Sequence, residues 1–219
     1  MRAKTCLINK LKSLYSKKKN EIIKRLNEFK NIREKSSDED IFKELCFCLL
    51  TPQSKAKSCW EAICIMNDND QLLKGRKSDI RLVLKKLVRF HNKKADYLLG
   101  AREIFKKDEK LQIKKILTSF SNAFECREWL VKNLKGIGYK EAGHFLRNIG
   151  FGEDIAILDR HILRNLYALG VIDEMPVSLS KKKYLEIEQK MKDFSEAVKI
   201  PLSHLDLLLW YKETGEIFK

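Results

Sequence analysis

Apolar side chains recur at three- and four-residue spacing along almost the whole chain, and few segments alternate as strands do. One clear example is Ala142, Phe145, Leu146 and Ile149, which share one face of a helix. Only nine of the 219 residues are glycine and three are proline, so the pattern is seldom interrupted. It predicts an all-α protein with no strand cluster.

Capping residues and helix breakers set the predicted boundaries. Ser36 and Ser37, followed by acidic residues 38–40, predict the start of a helix that runs to Leu50 before Pro52 ends it. Asp159 is predicted to begin a helix that Gly170 closes, and Pro201 begins a last helix that is apolar nearly all round. Further helices are predicted near residues 4–33, 55–66, 79–88, 92–106, 110–117, 125–134 and 180–199.

The charge balance favours a polyanionic partner. Lysine and arginine total 45 against 30 aspartate and glutamate, a formal net charge of +15 with a sequence pI near 9.5. Such an excess is typical of proteins that bind nucleic acid, with salt-dependent affinity. A solvated lysine-rich surface explains the same number equally well.

The first twenty residues are basic and lack an apolar core, and no apolar run reaches eighteen residues. We therefore expect neither a signal peptide nor a membrane span, and a cytoplasmic protein associated with DNA. The six cysteines show no paired spacing typical of metal sites, so we expect reduced core thiols and no metal ligands.

A glycine-rich corner separates two predicted helices at Leu134-Lys-Gly-Ile-Gly-Tyr-Lys-Glu-Ala142. Gly136 and Gly138 permit positive φ angles, and backbone N–H groups at a helix N-terminus attract anions such as a DNA phosphate. Lys140, His144 and Arg147 follow on the face opposite the apolar one, where we expect them to meet DNA. An ordinary turn between two helices would also need glycine.

Lys140 lies just beyond the Gly-x-Gly turn and Asp159 follows nineteen positions later, a pairing that resembles the helix-hairpin-helix DNA glycosylases with lyase activity. The resemblance makes Lys140 and Asp159 the candidate catalytic residues. A lysine amine can attack C1′ of a nucleotide, expel the base and form a Schiff base whose β-elimination cuts the strand. A carboxylate can stabilise the positive charge that develops as the glycosidic bond breaks. Asp159 is also a predicted helix cap, and the two roles are compatible. His161 is expected to be structural or to contact a phosphate.

This segment, together with Leu158-Asp-Arg-His161, resembles the motif of the helix-hairpin-helix DNA glycosylase/lyase superfamily. Thr51-Pro-Gln-Ser54, Arg89-Phe-His-Asn-Lys-Lys-Ala95 and Trp210 to Lys219 are similar to the compact type-2 8-oxoguanine DNA glycosylases of archaea and some thermophilic bacteria. The resemblance implies two helical subdomains flanking a DNA-binding cleft. We assign residues 1–35 and 150–219 to one subdomain, and 36–149, ending in the hairpin at 125–149, to the other.

The resemblance also implies a bifunctional enzyme that removes 8-oxoguanine from double-stranded DNA and nicks the resulting site. Lys140 is then the nucleophile, with Asp159 as its carboxylate partner. Phe90 and Trp210 would stack on the two faces of the extruded base, and the terminal carboxylate of Lys219 would accept the N7 hydrogen of 8-oxoguanine. Gln53 resembles the side chain that fills the gap left by the flipped nucleotide.

Some relatives carry a four-cysteine iron–sulfur loop near the C-terminus, and here no cysteine follows Cys126. We expect no iron–sulfur cluster and no other cofactor, apart from a monovalent cation at the hairpin, which the sequence leaves open. We also expect a monomer.

Two other classes of function remain open. One is a DNA-binding module without catalysis, which would need neither Lys140 nor Asp159. The other is a glycosylase of the same superfamily that acts on oxidised pyrimidines, or on adenine opposite the lesion. A monofunctional adenine enzyme would not need the lysine. Apart from the resemblance, a tryptophan such as Trp210 in an apolar helix is more often a core residue than a stacking platform.

Overall fold

The computed structural model describes residues 2–218, and the prediction of an all-α fold is confirmed. Within these residues the chain forms twelve helices and one short two-stranded ribbon. The helices are α1 (Arg2–Lys35), α2 (Asp38–Leu50), α3 (Ala56–Asp68), α4 (Gln71–Lys74), α5 (Lys77–Leu87), α6 (His91–Phe105), α7 (Ile113–Leu117), α8 (Ala123–Asn133), α9 (Tyr139–Asn148), α10 (Arg160–Ala168), α11 (Lys181–Val198) and α12 (Leu202–Thr214).

The ribbon pairs β1 (Lys106–Lys107) with β2 (Lys110–Leu111) in antiparallel register, which the sequence pattern did not predict. Asp108 and Glu109 form its turn with φ angles of 49° and 62°. Two consecutive residues in the left-handed region reverse the chain tightly enough for the flanking lysines to pair. The helix predicted near residues 110–117 therefore begins only at Ile113.

Local capping signals place α2 where the sequence predicted it. The Ser37 hydroxyl accepts the Asp40 N–H at 3.1 Å, and the Asp40 carboxylate accepts the Ser37 N–H at 3.2 Å. This reciprocal arrangement satisfies two backbone donors that a helix start leaves without partners. The helix ends at Leu50, directly before the loop that contains Pro52.

Two clusters of buried apolar residues form the core. The first is built between Ile41 and Ile155, chiefly from α2 to α9. The second joins α1 to the chain from Ala156 to Leu209. Ile155 belongs to the first cluster and Ala156 to the second, so the chain crosses between the clusters shortly before Asp159. The subdomain boundaries given above stay a prediction.

Among residues 2–218, no helix combines the length and the apolar composition that a membrane span requires.

Candidate active site

A cavity of about 830 Å³ is lined by residues of α9, α10 and α12, by the first residue of α3, and by the loops that precede α3, α6 and α10. Lys140 and Asp159 both line this cavity. The predicted DNA-contacting residues Gln53 and His161 and the predicted stacking residue Trp210 line it too. The remaining lining residues are Thr51, Ser54, Lys55, Ala56, Arg89, His144, Arg147, Ile157, Arg160, Ile162 and Asp206.

Lys140 is the second residue of α9, and its side chain is 23% exposed. Its ammonium lies 3.6 Å from the Glu141 carboxylate. The same carboxylate accepts the Gly138 N–H at 3.2 Å. Glu141 therefore holds the start of α9 on one side and faces the lysine on the other.

The two hairpin glycines have different conformations. Gly136 has a φ of +85°, and a Cβ built there would lie 2.2 Å from the Tyr97 ring, so both backbone angle and space require glycine. Gly138 has an extended φ of −111°, so of the two glycines only Gly136 adopts the positive φ that both permit. The Gly138 N–H, which we predicted to be available to a phosphate, is bonded to Glu141.

Asp159 precedes α10 as its N-cap, as the sequence predicted. Its Oδ1 atom accepts the Ile162 N–H at 2.8 Å, which fixes the side chain at the cavity wall. The carboxylate is thereby held by local backbone while it lines the same space as Lys140.

Arg147 and His144 are buried and do not lie on an exposed face of α9, and their predicted contact with DNA stays a prediction. Both are buried, at 6% and 7% exposure, because α9 is covered by α2 on one side and meets α12 through an ion pair on another. Arg147 donates to Asp206 at 2.5 Å, and the His144 ring packs edge-on against Phe47 with centroids 5.6 Å apart. They line the inner cavity wall, and the charge of Arg147 is balanced by a carboxylate.

Asp206 is a cavity residue that the sequence reasoning missed. It lies within the apolar run of α12 and is 2% exposed. Burial raises the pKa of its carboxyl group to about 6, although Arg147 opposes the shift. Asp159 raises this pKa further and Lys140 lowers it, so the three groups share one electrostatic environment. A carboxylate flanked by leucines, within the apolar run from Leu205 to Leu209, was the signal that could have identified it.

Trp210 lines the cavity and is not a fully buried core residue. The His161 ring meets it edge-on, with centroids 5.2 Å apart at 85°. His161 Nδ1 also lies 3.8 Å from the Glu213 carboxylate. The imidazole therefore packs against the indole within the lining of the cavity.

Phe90 is 53% exposed and is not among the residues that line the cavity, although its neighbour Arg89 is. It occupies the position before α6 with a φ of +57°, in the left-handed region. The Phe90 ring is therefore exposed to solvent next to Arg89, outside the residues that line the cavity. Its predicted role as the second face of a base sandwich stays a prediction.

Gln53 lies in the loop after α2 and also has a left-handed φ, of 55°. Lys94 holds this loop in place through hydrogen bonds. Its ammonium donates to the carbonyl oxygens of Leu50 and Pro52 at 2.6 and 2.8 Å. It also donates to the Ser54 hydroxyl at 2.8 Å. Lys94 is 3% exposed, and burial lowers its pKa. The ammonium therefore caps the carbonyl end of α2.

The last described residues are attached to the body of the protein. Phe218 packs against Phe47 with ring centroids 6.4 Å apart, and the Ile217 carbonyl accepts a hydrogen bond from Arg25 at 3.4 Å. Lys219, the predicted terminal contact to the base, lies outside the described residues.

No group of three or more His, Cys, Asp or Glu side chains in the described part of the chain is arranged to hold a metal ion.

Comparisons with known proteins identify the family. A family model described as 8-oxoguanine DNA glycosylase matches residues 22–200. A Fusobacterium nucleatum protein named 8-oxoguanine DNA glycosylase/AP lyase is 51% identical over 211 residues, which cover 96% of this chain and 97% of that relative. The chain belongs to the 8-oxoguanine DNA glycosylase family.

Two solved structures of family members share the fold. The Methanocaldococcus jannaschii 8-oxoguanine glycosylase/lyase, in complex with a 15mer DNA containing 8-oxoguanine, matches with a TM-score of 0.88 and 44% identity. The match covers 98% of this chain and all of that one. The 8-oxoguanine DNA glycosylase of Thermotoga maritima matches with a TM-score of 0.87 and 34% identity over 99% of this chain and all of that one.

Proposed function

We propose that this protein excises 8-oxoguanine from double-stranded DNA and cleaves the strand at the abasic site. The observation that carries the proposal is the joint placement of Lys140 and Asp159 in one cavity, in a chain of which 96% matches an 8-oxoguanine DNA glycosylase/AP lyase. The two residues supply the nucleophile and the carboxylate that this pair of reactions needs. Neither would be required in a module that only binds DNA.

In the proposed first step, the unprotonated amine of Lys140 attacks C1′ of the extruded nucleotide. Its lone pair forms the N–C1′ bond while the electron pair of the C1′–N9 bond leaves with the base, which takes up a proton. Asp159 stabilises the positive charge at C1′ as the bond breaks, because an ionised carboxylate acts strongly in a partly enclosed site.

Strand cleavage follows from the same covalent link. A proton passes from the new amine to O4′ as the C1′–O4′ bond opens, which leaves a protonated Schiff base between Lys140 and C1′. Transfer of a proton from C2′ to water then moves electrons toward the imine and expels the 3′ phosphate by breaking the C3′–O3′ bond, and water likewise supplies the proton that the released base takes up. The protein, the DNA and water supply every group in this sequence, so we propose that no cofactor takes part.

We assign recognition of the base to Trp210, Phe90 and the carboxylate of Lys219. A flipped purine offers two aromatic faces, and each stacking contact contributes about 1–3 kcal/mol. Trp210, braced by His161, provides one platform, and the exposed Phe90 ring is the proposed second. The terminal carboxylate of Lys219 is proposed to accept the N7 hydrogen that guanine lacks. The packing of Phe218 against Phe47 supports a chain end held close to the body.

The DNA itself is expected to cross the cavity mouth. Gln53, on a loop fixed by Lys94, is proposed to fill the gap that the extruded nucleotide leaves. The net charge of +15 favours the phosphate backbone, so affinity should fall as salt rises. We further propose that the protein acts as a monomer in the cytoplasm, on chromosomal DNA.

The proposal is tested with four otherwise identical duplexes. One contains 8-oxoguanine opposite cytosine, one 8-oxoguanine opposite adenine, one an oxidised pyrimidine, and one only normal bases. We expect release of 8-oxoguanine and a nicked strand from the first duplex. Preferential cleavage of the oxidised pyrimidine, or release of the adenine, would assign the protein to a different specificity. Binding without any cleavage would leave only a DNA-binding module.

A further inference from the structure

The chain segment that leads into Asp159 has no regular secondary structure, yet it is fully packed. Residues 155–158 are all at most 5% exposed. Buried backbone groups outside helices and strands need other hydrogen-bond partners. The partners of this segment determine where Asp159 is held.

Two side chains on α11, one helical turn apart, supply these partners. The Tyr184 hydroxyl donates to the Ala156 carbonyl at 2.8 Å and accepts the Leu158 N–H at 3.2 Å. The Glu188 carboxylate accepts the Ala156 N–H at 2.9 Å. Three backbone groups of the segment are therefore fixed by one face of α11.

Glu188 is itself fixed by the hairpin. Arg127 on α8 donates to its two carboxylate oxygens at 2.6 and 2.8 Å, and Arg127 is only 1% exposed. Such a two-bond contact sets both distance and orientation. The Tyr139 ring, directly before Lys140, packs against the Tyr184 ring with centroids 5.5 Å apart. The cluster thus contacts the chain beside both proposed catalytic residues.

Helix α9, which carries Lys140, also packs against this segment. A Cβ at Gly143 would come within 3.0 Å of the Ile155 side chain and 3.5 Å of the Ala156 carbonyl. The segment therefore contacts both α9 and α11. A shift of its backbone would move Asp159 relative to Lys140.

We infer that Tyr184 and Glu188, held by Arg127, are positioning residues that set the distance between Asp159 and Lys140. None of the three lines the cavity, so they act through the 155–158 backbone and do not touch the substrate. The inference rests on the function proposed above. It assigns to α11 a part in catalysis that its lysine-rich sequence does not indicate.

The most informative variant is Tyr184→Phe, which keeps the aromatic ring and removes both hydrogen bonds to the segment. The matched control is Tyr15→Phe, which removes one hydroxyl contact, to His204 at 2.8 Å, between α1 and α12. Both variants and the wild type are compared at a temperature where circular dichroism shows each to be folded. The readouts are the single-turnover rate of 8-oxoguanine excision and the dissociation constant for the same duplex.

We expect Tyr184→Phe to lower the excision rate by about tenfold to a hundredfold, because displacements on the order of 1 Å have effects of this size. The dissociation constant should stay within about twofold, since no DNA contact is removed. The inference would be overturned if Tyr184→Phe lowered the excision rate no more than Tyr15→Phe does. It would also be overturned if Tyr184→Phe weakened DNA binding and left the excision rate unchanged. Wild-type protein without excision activity would instead overturn the proposed function.

Glu188→Gln provides a second variant. Its amide oxygen can still accept the Ala156 N–H while the charge opposite Arg127 is lost. We expect a smaller fall in excision rate than for Tyr184→Phe, together with a larger loss of stability. Equal excision rates for Glu188→Gln and wild type, in a variant that is destabilised, would show that Glu188 is only structural.

Discussion

Arg147 on α9 and Asp206 on α12 form an ion pair in the inner wall of the cavity that holds Lys140 and Asp159. Both partners are nearly inaccessible to solvent, at 6% and 2% exposure. The pair joins the helix of the proposed nucleophile to the helix of Trp210 across the two core clusters. The charge state of this pair therefore affects both the helix that carries Lys140 and the helix that carries Trp210.

The Asp206 carboxyl should make stability depend on pH. Its pKa is raised to about 6 by burial, above the unfolded value near 4, so the folded protein binds this proton more tightly. The contribution to stability is complete below about pH 4 and is lost as the pH rises through about 6. It amounts to on the order of 3 kcal/mol.

Asp206→Asn removes this dependence. Urea unfolding of wild type and variant at about pH 4.5 and about pH 7.5 measures it. The free energy of unfolding should fall more between these values for the wild type than for the variant. The comparison cancels any constant penalty from leaving Arg147 without its carboxylate. Equal pH dependence in both proteins would contradict the raised pKa.

Gly136 should not tolerate a side chain. Gly136→Ala meets a φ of +85° and the Tyr97 ring, whereas Gly215→Ala meets a φ of +76° with no atom within 4 Å. The second variant measures the cost of the backbone angle alone. We expect Gly136→Ala to lower the free energy of unfolding by roughly 1–3 kcal/mol more than Gly215→Ala. Similar losses would show that the hairpin yields easily at Tyr97.

Lys94 should matter far more than its neighbour. Lys94→Met leaves the carbonyls of Leu50 and Pro52 and the Ser54 hydroxyl without their buried donor, which should cost roughly 2–4 kcal/mol. Lys93→Met removes the same charge from an exposed position and should stay within about 0.5 kcal/mol. Chemical denaturation measures both. Excision should fall only in Lys94→Met, because only there is the Gln53 loop released.

The proposed role of the Lys219 carboxylate in base selection can be tested by changing the chain end. Removing Lys219, or extending the chain with a C-terminal tag, should weaken selection of 8-oxoguanine over guanine. Cleavage at a ready-made abasic site should be spared, since no base is read there. Unchanged selectivity in the tagged protein would remove the terminal carboxylate from the proposed pocket.

Features that depend on neighbouring residues in sequence could be predicted. The Ser37 cap of α2, the Asp159 cap of α10 and the glycine corner before Lys140 all arise within a few positions, so the pattern indicates them directly. The family motif then linked Lys140 to Asp159. These predictions needed no knowledge of how the helices pack.

Features that depend on packing could not be predicted. The polar face of α9 was expected to meet DNA, but Arg147 is buried and bonded to Asp206, 59 positions away on α12. The same holds for Tyr184 and Glu188, whose partners in the segment before Asp159 lie 26–32 positions earlier. Helical periodicity shows which side of a helix is apolar, but not which polar residues find buried partners.

The central claim is that Lys140 forms a covalent bond to the damaged nucleotide, and borohydride trapping tests it most directly. Reduction of the Schiff base should yield a stable complex of protein and 8-oxoguanine duplex for the wild type and for Lys135→Gln, an exposed lysine of the same hairpin. The complex should be lost in Lys140→Gln. Trapping that persists in Lys140→Gln, or wild-type protein that forms no adduct, would contradict the account.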